Sequence, residues 1–267
     1  MPANARIVYD FDTWDAATIT GSSEANSDLA DDNVVHPFVS KPWRTTGDTT
    51  ENIVFDLGSA VAIDCIGVFA HNLTSAGTIR VQANTADSWG SPAQDNGAVA
   101  MSPSAVDADG NVLGHFISFP SGWGAYRYWR LVFVDGSNPD GYIQIGRIAG
   151  GIYYEFDRNI QQSFAVEIMD PSETDRNVPG RQAYWRSRER FRRATVGFRF
   201  QDRTQTEKVE AIYRKIGNSN PCILALDPDN YPSKDSMYCQ MITPVQFTHQ
   251  QIGYYDTGAL VFEEKVE

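Results

Sequence analysis

The chain has 267 residues, of which 22 are Lys or Arg and 34 are Asp or Glu, so its formal net charge is −12. That acidity argues against nucleic-acid binding. No apolar run approaches the roughly 20 residues that span a bilayer. The N-terminus lacks the basic-then-apolar pattern of a leader, so we expect neither a membrane span nor a cleaved leader. The three cysteines are an odd number, and their spacing predicts no disulfide framework.

The first half of the sequence is a series of short apolar or alternating segments separated by turns. Residues 12–48 are polar and are predicted to form a long ordered loop, and residues 84–114 show little periodicity. The strand candidates are Arg6–Phe11, Asn52–Leu57, Val61–Ala70, Thr78–Ala83, His115–Phe119, Tyr126–Val134 and Tyr142–Ala149. Many short strands without a helical period indicate an antiparallel β-sandwich.

The second half contains the one segment with a convincing helical pattern, predicted near residues 204–217. An apolar stripe is formed by Val209, Ile212, Tyr213 and Ile216. Thr204 with Glu207 has the spacing of a capping box. The strand candidates around this helix are Phe164–Met169, Ala194–Gln201, Cys222–Leu226, Tyr238–Ile242, Val245–His249 and Thr257–Glu263. Strands on both sides of one helix predict a small α+β unit.

Charge is distributed unevenly between the two halves. Residues 1–150 hold 7 basic and 17 acidic side chains, a net of −10, whereas residues 151–267 hold 15 and 17, a net of −2. This asymmetry favours a boundary near residue 150 and suggests that the two parts present different surfaces to partners.

Several motifs of the first half resemble those of discoidin-like, galactose-binding-type jelly rolls. The segments that carry this resemblance are Trp43-Arg44, Asn52–Gly58, Ile63–Asn72, Arg80–Ala83 with Asn84–Trp89, Tyr126–Val134 and Tyr142–Gly150. The resemblance implies a discoidin-like β-sandwich over residues 12–150. It also implies that Trp43 and Trp89 are packing residues.

The order of the parts resembles tail proteins of long-tailed bacteriophages. A jelly roll followed by an Arg-rich segment, a strand–helix–strand unit with Leu224–Asp229 (LALDPD) and an acidic last strand is similar to distal tail proteins. The resemblance implies a ring domain built from residues 1–11 and 151–267, with the jelly roll inserted. It also implies a structural, non-enzymatic component of the virion tail tip, assembled in the host cytoplasm. Such proteins commonly form hexameric rings that contact the tail tube, the tape measure and the hub.

The alternative function is a carbohydrate-binding module that attaches to host-surface glycan. Aromatic side chains suit the apolar side of a sugar ring, and Trp123, in a Gly-Trp-Gly turn, is the candidate glycan contact. The competing interpretation is that Trp123 packs against the fold.

The Arg-rich segment is a candidate interface. Its members are Tyr184, Trp185, Arg186, Arg188, Arg190, Arg192 and Arg193. Arg, Tyr and Trp are enriched at protein–protein interfaces, and the acidic half of another copy would be a suitable partner. A solvated strand face and a nucleic-acid stripe are the alternatives, and the overall acidity opposes the second.

No motif predicts a catalytic site, a metal or a cofactor. The four histidines lie far apart without ligand spacing, and no nucleophile elbow is present. Asp31-Asp32 could perform acid–base chemistry, but a solvated loop is the simpler interpretation. Asp107, Asp109 and Asn111 have part of the spacing of a calcium loop without its remaining ligands, and the same residues make hairpin turns.

Overall fold

The computed structural model describes residues 4–101, 114–118, 122–160, 164–177, 182–186, 188–199 and 201–266, with only the backbone of 174–177, 182–186 and 250–251. The candidate calcium loop at 107–111 lies outside the described residues. The chain forms two compact units. The first unit is Met1–Asn159 with Pro221–Tyr238, and the second is Ile160–Asn220 with Cys239–Glu267.

The elements that the structure describes up to residue 159 are a short helix, α1, and eleven strands. They are β1 Arg6–Val8, α1 Asp12–Asp15, β2 Thr18–Gly21, β3 Trp43–Arg44, β4 Glu51–Ala62, β5 Cys65–His71, β6 Thr78–Asn84, β7 Gln94–Ala100, β8 His115–Ser118, β9 Ala125–Val134, β10 Gln144–Gly151 and β11 Tyr153–Glu155. Two 3₁₀ turns, Ser27–Leu29 and Asp31–Val35, lie in the segment that was predicted to be a long loop.

Among the described residues after 159, the elements are nine strands and one long helix. They are β12 Ala165–Met169, β13 Glu173–Asn177, β14 Gln182–Arg186, β15 Phe191–Val196, α2 Arg203–Ile216, β16 Pro221–Ala225, β17 Ser236–Met241, β18 Phe247–Gln251, β19 Tyr254–Thr257 and β20 Leu260–Glu264.

Two antiparallel sheets form a β-sandwich in the first unit, which confirms the predicted mainly-β sandwich. One sheet has the order β2-β4-β9-β6-β7 and the other has the order β3-β10-β5-β8. Alternate residues of β9, namely Trp129, Leu131 and Phe133, are fully buried and join Trp43 and Ile148 in the core. Because strand side chains alternate between faces, the intervening residues of β9 point away from this core.

A third layer of strands covers the outer face of the four-stranded sheet. Strand β1 pairs with β11 on one side and with β16 on the other. A second buried cluster joins Val8 and Ile223 of this layer to Cys65, Phe69 and Phe116 of the sandwich. Residues 1–11 and part of the later chain therefore pack into the first unit, whereas the sequence predicted a division at 12–150. The predicted division into functional domains at residues 12 and 150 stays a prediction.

The second unit is an antiparallel sheet in which β12 pairs with β15, β15 with β20, and β20 with the end of β17. Strands β13 and β14 form a separate two-stranded hairpin within the Arg-rich segment. Strands β18 and β19 form another hairpin. The predicted single long helix is confirmed as α2, and its apolar stripe Val209, Ile212 and Ile216 is buried.

The predicted helix cap is wrong by two residues. Asp202 is the N-cap, and its carboxylate accepts a hydrogen bond from the Gln205 backbone N–H at 2.9 Å. Thr204 lies inside the first turn, and Glu207 forms an ion pair with Arg203 at 2.7 Å. Asp and Thr are both good N-caps, so sequence spacing alone could not select between them.

Candidate functional site

The solvent-facing side of the five-stranded sheet carries two groups of polar and aromatic side chains, which together we call the polar strand face. Successive side chains of a strand point to opposite faces of the sheet, so β9 buries Trp129 and Leu131 and exposes the residues between and beside them. Its members are Asp56, Arg80, Gln82, Trp89, Asp95, Arg127, Tyr128 and Arg130.

A chain of hydrogen bonds orders the centre of this face. Arg130 donates from Nε and Nη2 to Gln82 Oε1 at 2.9 and 2.7 Å. Gln82 in turn donates from Nε2 to Asp95 Oδ2 at 2.8 Å, and Arg80 donates from Nε to Asp95 Oδ1 at 2.8 Å. The Arg80 guanidinium holds the pKa of the Asp95 carboxyl well below its usual range. Gln82, which is buried, thus fixes the positions of both charged neighbours.

Trp89 supplies an aromatic surface beside this chain of bonds. Its Nε1 donates to Asp87 Oδ1 at 2.7 Å, and the guanidinium carbon of Arg130 lies 4.9 Å from the centre of its ring. A cation over an indole is attracted by the negative face of the ring. Trp89 is partly buried, so only part of its ring surface is open to a ligand.

A second ion pair and a second ring complete the face. Arg127 binds Asp56 through Nε at 2.6 Å and Nη2 at 2.8 Å, and these bonds lower the pKa of Asp56 to about 2. The Arg127 guanidinium carbon lies 4.9 Å from the centre of the Tyr128 ring. Both rings of the face are thereby held next to fixed hydrogen-bonding groups.

The arrangement suits binding better than acid–base chemistry. Asp56 and Asp95 are held ionised by arginines, so neither carboxyl can donate a proton near neutral pH. Positioned amides, guanidinium groups and carboxylates beside aromatic rings can contact a ligand that combines apolar and hydrogen-bonding surfaces.

Two of the tryptophans considered from the sequence have clear positions. Trp123 stacks on Trp129, with ring centres 5.9 Å apart and planes at 6°, and packs half-buried against the core. This contact fits the packing interpretation, and glycan contact by Trp123 stays a prediction. The resemblance implied packing for Trp89 as well, and that residue is partly buried beside Arg130, so its role stays a prediction.

The arginines described in the Arg-rich segment form ion pairs within the chain. Arg188 pairs with Glu173 at 3.0 Å and Arg190 with Asp170 at 3.3 Å. Two further arginines of β15 pair with the acidic last strand. They are Arg192, bound to Glu264 at 2.8 Å, and Arg193, bound to Glu263 at 2.9 Å.

These pairs offset the positive charge that would attract a phosphate backbone. The side chains of Tyr184, Trp185 and Arg186 lie outside the described residues, so the interface at this segment stays a prediction.

The described residues contain no group of three or more His, Cys, Asp or Glu side chains that could hold a metal ion. His115 Nδ1 lies 2.7 Å from Ser233 Oγ, a pair with the residue types of a base and a nucleophile. Both residues are buried, so the serine is not accessible to a substrate, and burial lowers the pKa of His115 to about 4.

In the part of the chain that is described, no helix has the length and apolarity needed to cross a bilayer.

No family model and no curated protein matches the chain. Several solved structures are similar to part of it. One is CpGH89CBM32-5 from Clostridium perfringens in complex with GalNAc-β-1,3-galactose, with TM-score 0.42, 9% identity, and 53% of this chain and 99% of that chain covered. Another is chitosan-binding module 1 of a Paenibacillus chitosanase/glucanase, with TM-score 0.36, 16% identity, and coverage of 50% and 93%.

A third similar structure is the CBM32 of AlyQ in complex with 4,5-unsaturated mannuronic acid, with TM-score 0.37 and 18% identity. It covers 53% of this chain and 95% of that chain. At these identities and TM-scores the similarity carries no argument about what this chain binds.

Proposed function

We propose that this chain is a non-catalytic glycan-binding protein that holds its ligand on the polar strand face. The observation that carries the proposal is the continuous contact series from Trp89 through Arg130 and Gln82 to Asp95.

A sugar ring has an apolar C–H side and a rim of hydroxyl groups. Trp89 offers ring surface for the apolar side, and the Asp95 carboxylate and the arginine N–H groups offer partners for hydroxyls. Because the ion pairs already fix these groups, little side-chain entropy is lost on binding.

The test is binding of a panel of host-surface polysaccharides and oligosaccharides to the purified chain, followed by calorimetry on the ligands that bind. Trp89→Ala should weaken binding about tenfold or more, which corresponds to about 1.4 kcal/mol. The matched control is Tyr231→Ala, since Tyr231 is an exposed aromatic of the same unit outside the face. Equal affinity of Trp89→Ala and the wild type would reject this site.

The proposal includes the absence of catalysis. The protein should release no reducing sugar from any polysaccharide that it binds, because the carboxyls of the face stay ionised. Accumulation of hydrolysis products, lost in an Asp95→Asn variant, would overturn this part.

A second candidate function is that of an assembly component, and the observation that favours it is strand β12. Phe164, Val166 and Ile168 alternate along this segment and are 44%, 45% and 58% exposed. Among the described residues β12 pairs only with β15 and ends the sheet order. An apolar edge strand is a template for pairing with another chain.

The finer form of this candidate is a ring oligomer, of the hexameric kind, in the tail tip of a long-tailed bacteriophage. Light scattering during size-exclusion chromatography tests the assembly, and mass spectrometry of purified virions tests the location. Val166→Lys should dissociate an oligomer, whereas Ala165→Lys, on the opposite side of the same strand, should dissociate it less. A wild-type monomer at all concentrations, absent from virions, would reject this candidate.

A further inference from the structure

The three arginines of the polar strand face have different partners. Arg80 and Arg127 each hydrogen-bond a carboxylate, that of Asp95 and Asp56 respectively. The hydrogen bonds of Arg130 go instead to the neutral amide oxygen of Gln82. Arg130 is thus the cation of this face whose hydrogen-bonded partner carries no charge.

The acidic groups near Arg130 are bound by other residues, so Arg130 still differs from Arg80 and Arg127. Asp95, Asp87 and Arg80 interact with it electrostatically, but Asp95 is bound by Arg80 and Gln82, and Asp87 accepts the indole N–H of Trp89. Burial lowers the pKa of Arg130, although an arginine still carries its charge at neutral pH. A half-buried guanidinium with a neutral hydrogen-bond partner gains more from a ligand carboxylate than an arginine that is already paired.

The position of Arg130 links this charge to the aromatic surface. Its guanidinium carbon lies 4.9 Å from the centre of the Trp89 ring. The guanidinium covers one face of the indole, so a sugar that touches the edge of the ring beside Arg130 would meet the guanidinium as well. A carboxylate on that sugar ring would meet Arg130, whereas a neutral hydroxymethyl group would leave it with Gln82 alone.

We propose that the ligand of the polar strand face is an acidic polysaccharide, with a uronic acid residue whose carboxylate pairs with Arg130. This inference rests on the proposed glycan-binding function and adds the chemical class of the sugar.

The experiment compares trigalacturonic acid with the neutral trisaccharide of galactose by titration calorimetry on the full chain. The wild type should prefer the acidic trisaccharide by about tenfold or more at low salt, and the preference should shrink as ionic strength rises. Arg130→Gln should abolish the preference, and Arg130→Lys should retain part of it. Asp87→Asn, which removes a nearby negative charge, should strengthen binding of the acidic ligand.

The chain offers a matched control with the same local chemistry. Arg44 donates from Nε and Nη2 to the amide oxygen of Gln144 and lies 4.3 Å from the centre of the Tyr142 ring, but it belongs to the other sheet. Arg44→Gln should leave the preference intact. Circular dichroism and thermal unfolding of each variant confirm that the fold is retained.

The outcomes separate the two proposals. Equal affinity for both trisaccharides, with loss in Trp89→Ala, would overturn the acidic-sugar inference and leave glycan binding standing. A preference that survives Arg130→Gln, or that follows Arg44, would overturn the assignment to this face. No binding of either trisaccharide or of any polysaccharide would reject glycan binding itself.

Discussion

The polar strand face and strand β12 are both exposed β-surfaces, and they differ in how their side chains are satisfied. On the polar strand face, Arg80 and Arg127 have carboxylate partners and Trp89 lies against a guanidinium. On β12, Val166 and Ile168 are open to solvent at the edge of a sheet. The first surface presents positioned polar groups beside aromatic rings, and the second presents apolar side chains at a strand edge. The proposed glycan-binding function uses the first surface, and the proposed assembly function uses the second.

Removal of the Trp129 side chain should destabilise the first unit strongly, through its sandwich core. Trp129 is fully buried in β9, between Tyr128 and Arg130 of the polar strand face. Trp129→Ala should cost about 3–5 kcal/mol of unfolding free energy, since it leaves a large cavity. Urea denaturation measures this loss, and glycan binding should fall with it, while association through β12 should persist. Tyr231→Ala should change stability by less than about 0.5 kcal/mol. Similar stability of the two variants would contradict the core assignment.

We also expect low pH to reduce the unfolding free energy of the first unit, because His115 is buried. Burial lowers its pKa to about 4, whereas an unfolded histidine titrates near 6.5. As the pH falls below about 6.5, the unfolded state takes up the proton first, so stability is full above that pH and declines until about pH 4.

The expected decline is about 3 kcal/mol for this depression of the His115 pKa. Denaturation curves between pH 7 and 4 measure it, and His115→Gln should flatten the profile over that range. If the wild type and the variant have parallel profiles, His115 does not control acid stability.

The next prediction concerns the N-cap of α2, which lies in the second unit and not on the polar strand face. Asp202→Ala should cost about 1 kcal/mol because it removes the N-cap acceptor for the Gln205 N–H. Thr204→Ala, inside the first turn, is the matched control and should cost less. Thermal unfolding ranks the two variants, and the reverse order would restore the capping box expected from the sequence. Both variants should bind glycan like the wild type.

The smallest effect concerns the exposed ion pair of the polar strand face. Asp56→Asn should change stability by less than about 1 kcal/mol, because the pair with Arg127 is partly solvated. The contribution should be present above about pH 4 and lost as the pH falls through the Asp56 pKa of about 2. Unfolding in low salt at pH 5 and pH 2 measures it, and a larger cost at pH 2 than at pH 5 would contradict this sign.

The sequence was a good guide where the signal was periodic. Many short apolar or alternating segments without a helical period predicted the sandwich. The stripe of Val209, Ile212, Tyr213 and Ile216 predicted α2. Strand β7 was missed because its residues Gln94–Ala100 include Gly97 and show no apolar alternation. The predicted strand Val61–Ala70 is divided in the structure between the end of β4 and β5.

The candidate site was beyond sequence reasoning because its contacts are long-range. Gln82 and Arg130 are 48 positions apart, and Trp89 lies in a loop whose sequence gives no sign that it contacts β9. Pairing of β6 with β9 brings these residues together. A local pattern records which face a side chain occupies but not which strand lies beside it.

The most direct test of glycan binding on the polar strand face is two-dimensional NMR of the indole N–H signals during titration with an oligosaccharide that the protein binds. The chain has six tryptophans, so each indole signal can be assigned by substitution. The Trp89 signal should shift in proportion to ligand occupancy, while the buried Trp14 and Trp43 signals stay in place. An unchanged Trp89 signal at saturating ligand would contradict the proposed site.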